Sequence, residues 1–213
     1  TRIAVRKNMR NRKFIGHLVV GIAIILVLYT AANGQEGGHR TGMQLPKGKH
    51  TTLGLYVTAT EAYEKWKVDP EKVRILDVRT PEEYIYVGHA EMAVNIPFAF
   101  QSYRWDAGKR YFALKPNPDF VSHVKEWVKL NDTIFAMCRS GGRSAVSINV
   151  LADAGFKNVY NIIDGFEGDT VKDRGSKFYG KRMKNGWKNS GLPWTYDVNP
   201  EQMKIPVSFG GRN

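Results

Sequence analysis

The sequence predicts an α/β domain built on a largely parallel sheet, and three observations predict it. From about residue 53 onward, short apolar runs alternate with stretches of helical period, the order expected when strands and helices follow each other along a chain. Helix starts are marked by capping residues directly after apolar runs. No internal repeat is found.

Taken in order, a short strand is predicted at 55–57. A helix follows over 59–67, opened by the pair Thr58 and Glu61, which has the spacing of a capping box. Residues 73–78 read as a strand. Thr80, Pro81, Glu82 and Glu83 form a strong helix start, with a capping hydroxyl, proline at the first position and carboxylates facing the positive end of the dipole. A brief strand at 93–96 is closed by Pro97, and 119–129 alternates at helical period. Residues 133–137 form an apolar strand, 143–154 a helix stopped by Gly155, and 158–162 a fifth strand. Between these, 98–116 is too long for a plain connection and carries Tyr103, Trp105, Tyr111 and Phe112. It reads as an aromatic flap, packed over a sheet edge or walling the mouth of a site.

The ends of the chain read differently. Residues 14–32 carry no formal charge, and nineteen residues of helix span about 28 Å, close to a hydrocarbon core. His17 lies within a turn of the start, in reach of the headgroups. Arg2, Arg6, Lys7, Arg10, Arg12 and Lys13 precede the segment with no acidic residue among them, a flank that stays in the cytoplasm. The expectation is a basic arm at 1–13, a transmembrane helix at 14–32, a linker at 33–52, a catalytic domain at 53–198 and a tail at 199–213. That arrangement corresponds to a single-pass protein of a bacterial inner membrane, with the domain in the periplasm and the lipid bilayer as a partner. A cleavable signal peptide, with Thr30, Ala31 and Ala32 near the processing site, and a buried core helix are the alternatives.

The net charge of +12 first suggests nucleic acid. Six of the 32 basic residues stand in the arm and seven more between Lys172 and Lys188, whereas charges nearly cancel between Leu53 and Asp169. Topology and anionic headgroups account for the arm, so no specific nucleic-acid partner is expected.

The chemistry is concentrated in Cys138, Arg139, Ser140, Gly141, Gly142, Arg143 and Ser144, between an apolar strand and an amphipathic helix. A strand end, a glycine-bearing loop and a helix start bring several backbone N–H groups around one point, a concavity that favours anions. Cys138 is expected at its rim. The helix's positive end and two guanidinium groups favour thiolate, the nucleophilic form. Cys138 is also the only cysteine, so no second thiol of the chain can form a disulfide with it.

With this loop in view, the chain resembles the rhodanese family. The likeness extends to Leu76, Asp77, Val78 and Arg79 with Glu82, Glu83 and Tyr84, to Gly88 and His89, to the AVNIP stretch ending at Pro97, and to Asp164, Gly165 and Phe166. Asn185, Gly186 and Trp187, then Gly191, Leu192 and Pro193, are similar to the family's closing elements. The resemblance implies a doubly wound five-stranded parallel sheet with helices on both faces, here preceded by one transmembrane helix. It implies a sulfurtransferase in which Cys138 takes a sulfane sulfur from thiosulfate or a persulfide donor and passes it to an external thiol or cyanide-like acceptor, with no cofactor and no metal. Residues Arg139 to Ser144 would bind substrate through their amides. Arg139 would face the substrate and Arg143 would organise the loop. Asp77 and Arg79 would support the site, although a structural ion pair is their plainer role. The related dual-specificity phosphatases and arsenate reductases place five residues between Cys and Arg; here four intervene, a smaller ring suited to sulfur. Residues 172–183 depart from the compact pattern as a basic insertion, a solvated loop or a docking surface. Because such folds also serve as binding modules, an accessory subunit of a larger membrane protein complex is the alternative function.

Overall fold

The computed structural model describes residues 45–205. The elements run β1 (Tyr56–Val57), α1 (Ala59–Val68), β2 (Val73–Asp77), α2 (Pro81–Val87), β3 (His89–Ala90), β4 (Val94–Asn95), β5 (Ala99–Asp106), β6 (Tyr111–Pro116), α3 (Phe120–Trp127), β7 (Thr133–Met137), α4 (Gly142–Asp153), β8 (Val159–Ile162) and β9 (Trp194–Thr195). The predicted arm and span at 1–32, and most of the predicted linker, lie outside the described residues. Among the described residues no helix is long and apolar enough to cross a membrane.

Five strands form one parallel sheet in the order β1-β8-β7-β2-β4. From β2 the chain moves outward to the edge strand β4; from β7 it moves the opposite way to β8. The direction of winding therefore reverses between β2 and β7, and a crevice opens beyond their carboxyl ends, where ligands of such sheets bind. Strand β7 explains how the residues are sorted. Alternate side chains point to opposite faces, so Ile134, Ala136 and Cys138 join the core beneath α3 and α4, with Phe120, Val124, Ile148 and Leu151. Phe135 and Met137 join the other face, with Ala59 and Ala62 of α1, Phe166 and Trp187.

Capping boxes form at both predicted helix starts. Thr58 accepts from the Glu61 amide while Glu61 accepts from Thr58, and Thr80 and Glu83 do the same. The region 98–116 is a two-stranded antiparallel hairpin of β5 and β6. It is pinned at its base, where Phe98 donates to Val78 and Asn117 to Pro97. Beyond the base it turns to solvent, with Tyr103 93% exposed.

The domain also reaches further than residues 53–198. Thr52 donates to Asn149, Lys49 pairs with Asp169, and at the other end Lys204 donates to Asn95 O on the edge strand. Residues 45–52, read above as the end of a linker, are therefore docked, and the start of the tail covers the open edge of β4.

Candidate active site

The site is built at the carboxyl ends of β7 and β2. After the apolar run of β7 the chain turns at Cys138 and enters α4 through Gly141, whose φ of +90° is left-handed and available to glycine without a β-carbon penalty. A β-carbon there would also strike the carbonyl of Ile163. Behind the loop runs the turn after β8. Phe166 N–H donates to Cys138 O at 2.8 Å, and the amides of Glu167 and Gly168 donate to Arg139 O at 3.0 and 3.2 Å. Gly165, with φ +62°, allows this close approach, because a β-carbon there would lie 2.5 Å from Cys138 O.

Anchoring the loop by its carbonyls directs its amides the other way. Among the described residues the N–H groups of Arg139, Ser140 and Gly141 have no acceptor in the chain, and no side chain caps the start of α4. Twelve residues of helix direct their positive end at the same point. Such a ring of unpaired amides and a helix terminus is suited to an anion or a charged sulfur.

The side chains fall into distinct places. Cys138 is 2% exposed and belongs to the apolar core, not to the rim expected from the sequence. The cause is strand alternation, which turns it toward Ala136 and Ile148. Arg139 is exposed and has no charged partner among the described residues, while Ser140 and Gly142 are half-buried. Arg143 makes a forked pair with Glu83, at 2.6 Å from Nη1 to Oε2 and 2.5 Å from Nη2 to Oε1. Burial alone would push the Glu83 carboxyl up; the hydrogen bonds and charge of Arg143 outweigh it and hold the carboxyl below its usual range.

Ser144 is fully buried. Its Oγ lies 3.6 Å from Cys138 Sγ and donates to Asn161 Oδ1 at 2.7 Å. Asp77 and Arg79 are brought together, both fully buried. Arg79 donates to both carboxylate oxygens and to Gly88 O, with its guanidinium 4.1 Å over the Phe166 ring. They form a fully buried ion pair at the carboxyl end of β2. Asp164 ties the turn after β8 to α1 and to the closing segment by accepting from Ala59 and Gly186.

Two polar residues of this assembly were not foreseen. Glu83 carries a helix start and part of the family likeness in the sequence, and its pairing with Arg143, sixty residues away, is marked by neither. Asn161 sits in a strand and no local pattern marks it. The basic insertion folds back on itself through the amides of Val171 and Gly180. With the docked residues 45–49 it walls a cleft of about 940 Å³ that is lined by Lys49, Asp164, Asp169, Arg182 and Lys184 and reaches the loop at Ser140.

Comparison with known proteins agrees with this architecture. Residues 58–170 match the model of the Rhodanese-like domain. The uncharacterized protein RC0915 of Rickettsia conorii is 32% identical over 140 residues, covering 66% of this chain and 96% of that protein. Thiosulfate sulfurtransferase 16 of Arabidopsis thaliana is 38% identical over 93 residues, covering 44% of this chain and 70% of that one. The crystal structure of Rv0390 from M. tuberculosis superposes with a TM-score of 0.52 at 26% identity, covering 66% of this chain and 96% of the other. The chain belongs to the rhodanese-like domain family.

Proposed function

We propose that the protein is a sulfurtransferase that carries sulfane sulfur on Cys138. The Cys138 thiolate attacks the outer sulfur of thiosulfate or of a persulfide donor. The donor's sulfur–sulfur bond breaks, and sulfite or a thiolate leaves with the electron pair. In the resulting persulfide the negative charge resides on the terminal sulfur, beside the amides of Arg139, Ser140 and Gly141. An external thiol or cyanide-like acceptor then takes that sulfur, since the chain has no second cysteine. The observation that carries the reading is the run of acceptor-free amides, Arg139 to Gly141, directly after the one thiol and at the start of α4. Exposed Arg139 would meet the anionic donor. The likeness to a thiosulfate sulfurtransferase supports the same reaction class. Incubating the full chain with thiosulfate should add one sulfur atom by intact mass spectrometry, and Cys138→Ser should prevent it. Wild-type protein that stays unmodified would overturn the proposal.

The basic arm and the uncharged stretch at 14–32 support a single-pass placement in a bacterial inner membrane, with the domain on the periplasmic side. Protease added outside intact spheroplasts should digest the domain; protection would contradict that orientation.

The exposed aromatic hairpin favours a second reading, an accessory subunit docked to a larger membrane protein complex through Tyr103, Trp105 and Phe112. In that case Cys138→Ser would spare assembly, while Trp105→Ser would release the chain from the complex.

A further inference from the structure

The buried side chain of Asn161 has a role that the loop motif does not account for. Its Nδ2 donates to Gly141 O at 3.0 Å and to Lys49 O at 3.1 Å. Two carbonyls facing the nitrogen use both of its protons and fix the amide's orientation, so Oδ1 must face Ser144. The Ser144 hydroxyl has one proton, and at 2.7 Å it goes to Asn161. Oγ is also placed to donate to Cys138 Sγ at 3.6 Å, but with its single proton held by the shorter bond to Asn161 it has only lone pairs left for the sulfur. All three residues are buried, Asn161 and Ser144 completely, so no bulk water relieves this arrangement.

We propose that Asn161 is a positioning residue that biases the site toward the sulfur-loaded state by withholding the Ser144 proton from Cys138. The inference rests on the sulfurtransfer reading above. In the thiolate form that attacks the donor, the negative charge is on Sγ, against an oxygen lone pair. Ser144 can rotate its proton to that charge only by leaving Asn161 Oδ1 buried without a donor. Loading with thiosulfate forms the Sγ–S bond, breaks the S–S bond of thiosulfate and releases sulfite with the electron pair. The charge moves out to the terminal sulfur and Sγ becomes neutral. A neutral Sγ tolerates the lone pair, and Asn161 keeps its hydrogen bond. The same side chain thus favours persulfide over free thiolate, while its two N–H groups hold Gly141 and Lys49 in place.

The measurement is the ratio of persulfide to unmodified protein by intact mass spectrometry of the full chain, equilibrated with fixed thiosulfate and sulfite. Asn161→Ala frees the Ser144 proton for the thiolate and should lower the ratio about tenfold, the size of a hydrogen bond to a charged group. Asn161→Asp keeps an acceptor for Ser144 but loses the amide protons, and the ratio should stay at or above the wild-type value. In a Ser144→Ala background, Asn161→Ala should lower the ratio by much less than it does alone. An unchanged ratio in Asn161→Ala overturns the proposal. So does a fall in Asn161→Asp equal to that in Asn161→Ala, which would mean that Asn161 only pins the loop. Should Asn161→Ala not fold, Ser144→Ala alone decides: a lowered ratio is expected and an unchanged one overturns the idea. Wild-type protein that takes up no sulfur at all is a different result, and removes the underlying sulfurtransfer reading.

Discussion

The loop at 138–144 and the hairpin at 99–116 both leave the carboxyl edge of the same sheet, yet they are held in opposite ways. In the loop, the carbonyls of Cys138, Arg139 and Gly141 are all bound by other parts of the domain, and the side chains beneath are buried. In the hairpin, β5 and β6 pair with each other, and Tyr103, Trp105, Tyr111 and Phe112 face solvent. The loop's conformation is therefore dictated by the fold around it, and the hairpin's chiefly by itself. Substitutions should be costly around the first region and cheap for stability in the second.

The largest effect is expected beneath the loop. Arg79→Ala leaves the Asp77 carboxylate buried without its partner and should cost about 3–5 kcal/mol, measured by urea denaturation. Gly141→Ala should cost about 1–3 kcal/mol from the left-handed backbone, and because the clash with Ile163 turns the loop aside, sulfur uptake should be lost even where the protein remains folded.

Glu83→Gln weakens the forked pair with Arg143 and should cost about 1 kcal/mol. The same pair has a pH signature. The Glu83 carboxyl is held below its unfolded value of 4.5, so the stabilisation is fully present above that value and is lost as pH falls through the lower, folded one. Wild-type and Glu83→Gln stabilities should differ above about pH 5 and converge under more acidic conditions. The smallest effect belongs to the hairpin. Trp105→Ser removes the edge-to-face contact with Phe112 and should change domain stability by less than about 1 kcal/mol, with sulfur uptake intact. A large loss there would mean that the hairpin is structural, and the contrast between the two regions would fail.

The same contrast explains what could be read in the sequence. Strands β2 and β7 were legible as apolar runs because both of their faces are covered, and the helix starts were legible because a capping box involves residues three apart. The loop was legible because its chemistry lies in seven consecutive residues. The hairpin was marked only by its length and aromatic content, since exposed strands such as 103–106 have no inward face to impose an alternating pattern. Asn161 and Glu83 act through partners 17 and 60 residues away, and no local spacing encodes those pairs. Docking of residues 45–52 and of Lys204 was equally hidden, because it depends on polar contacts with Asn149, Asn161, Asp169 and Asn95 and not on an apolar run.

The account depends on the amides of Arg139, Ser140 and Gly141 being the seat of a charged sulfur on Cys138. A crystal structure of the protein after exposure to thiosulfate, with sulfur located by anomalous scattering, tests this most directly. One additional sulfur bonded to Cys138 Sγ and within hydrogen-bonding distance of those amides is the predicted result. An unmodified Cys138, or an added sulfur directed away from the loop, would contradict it.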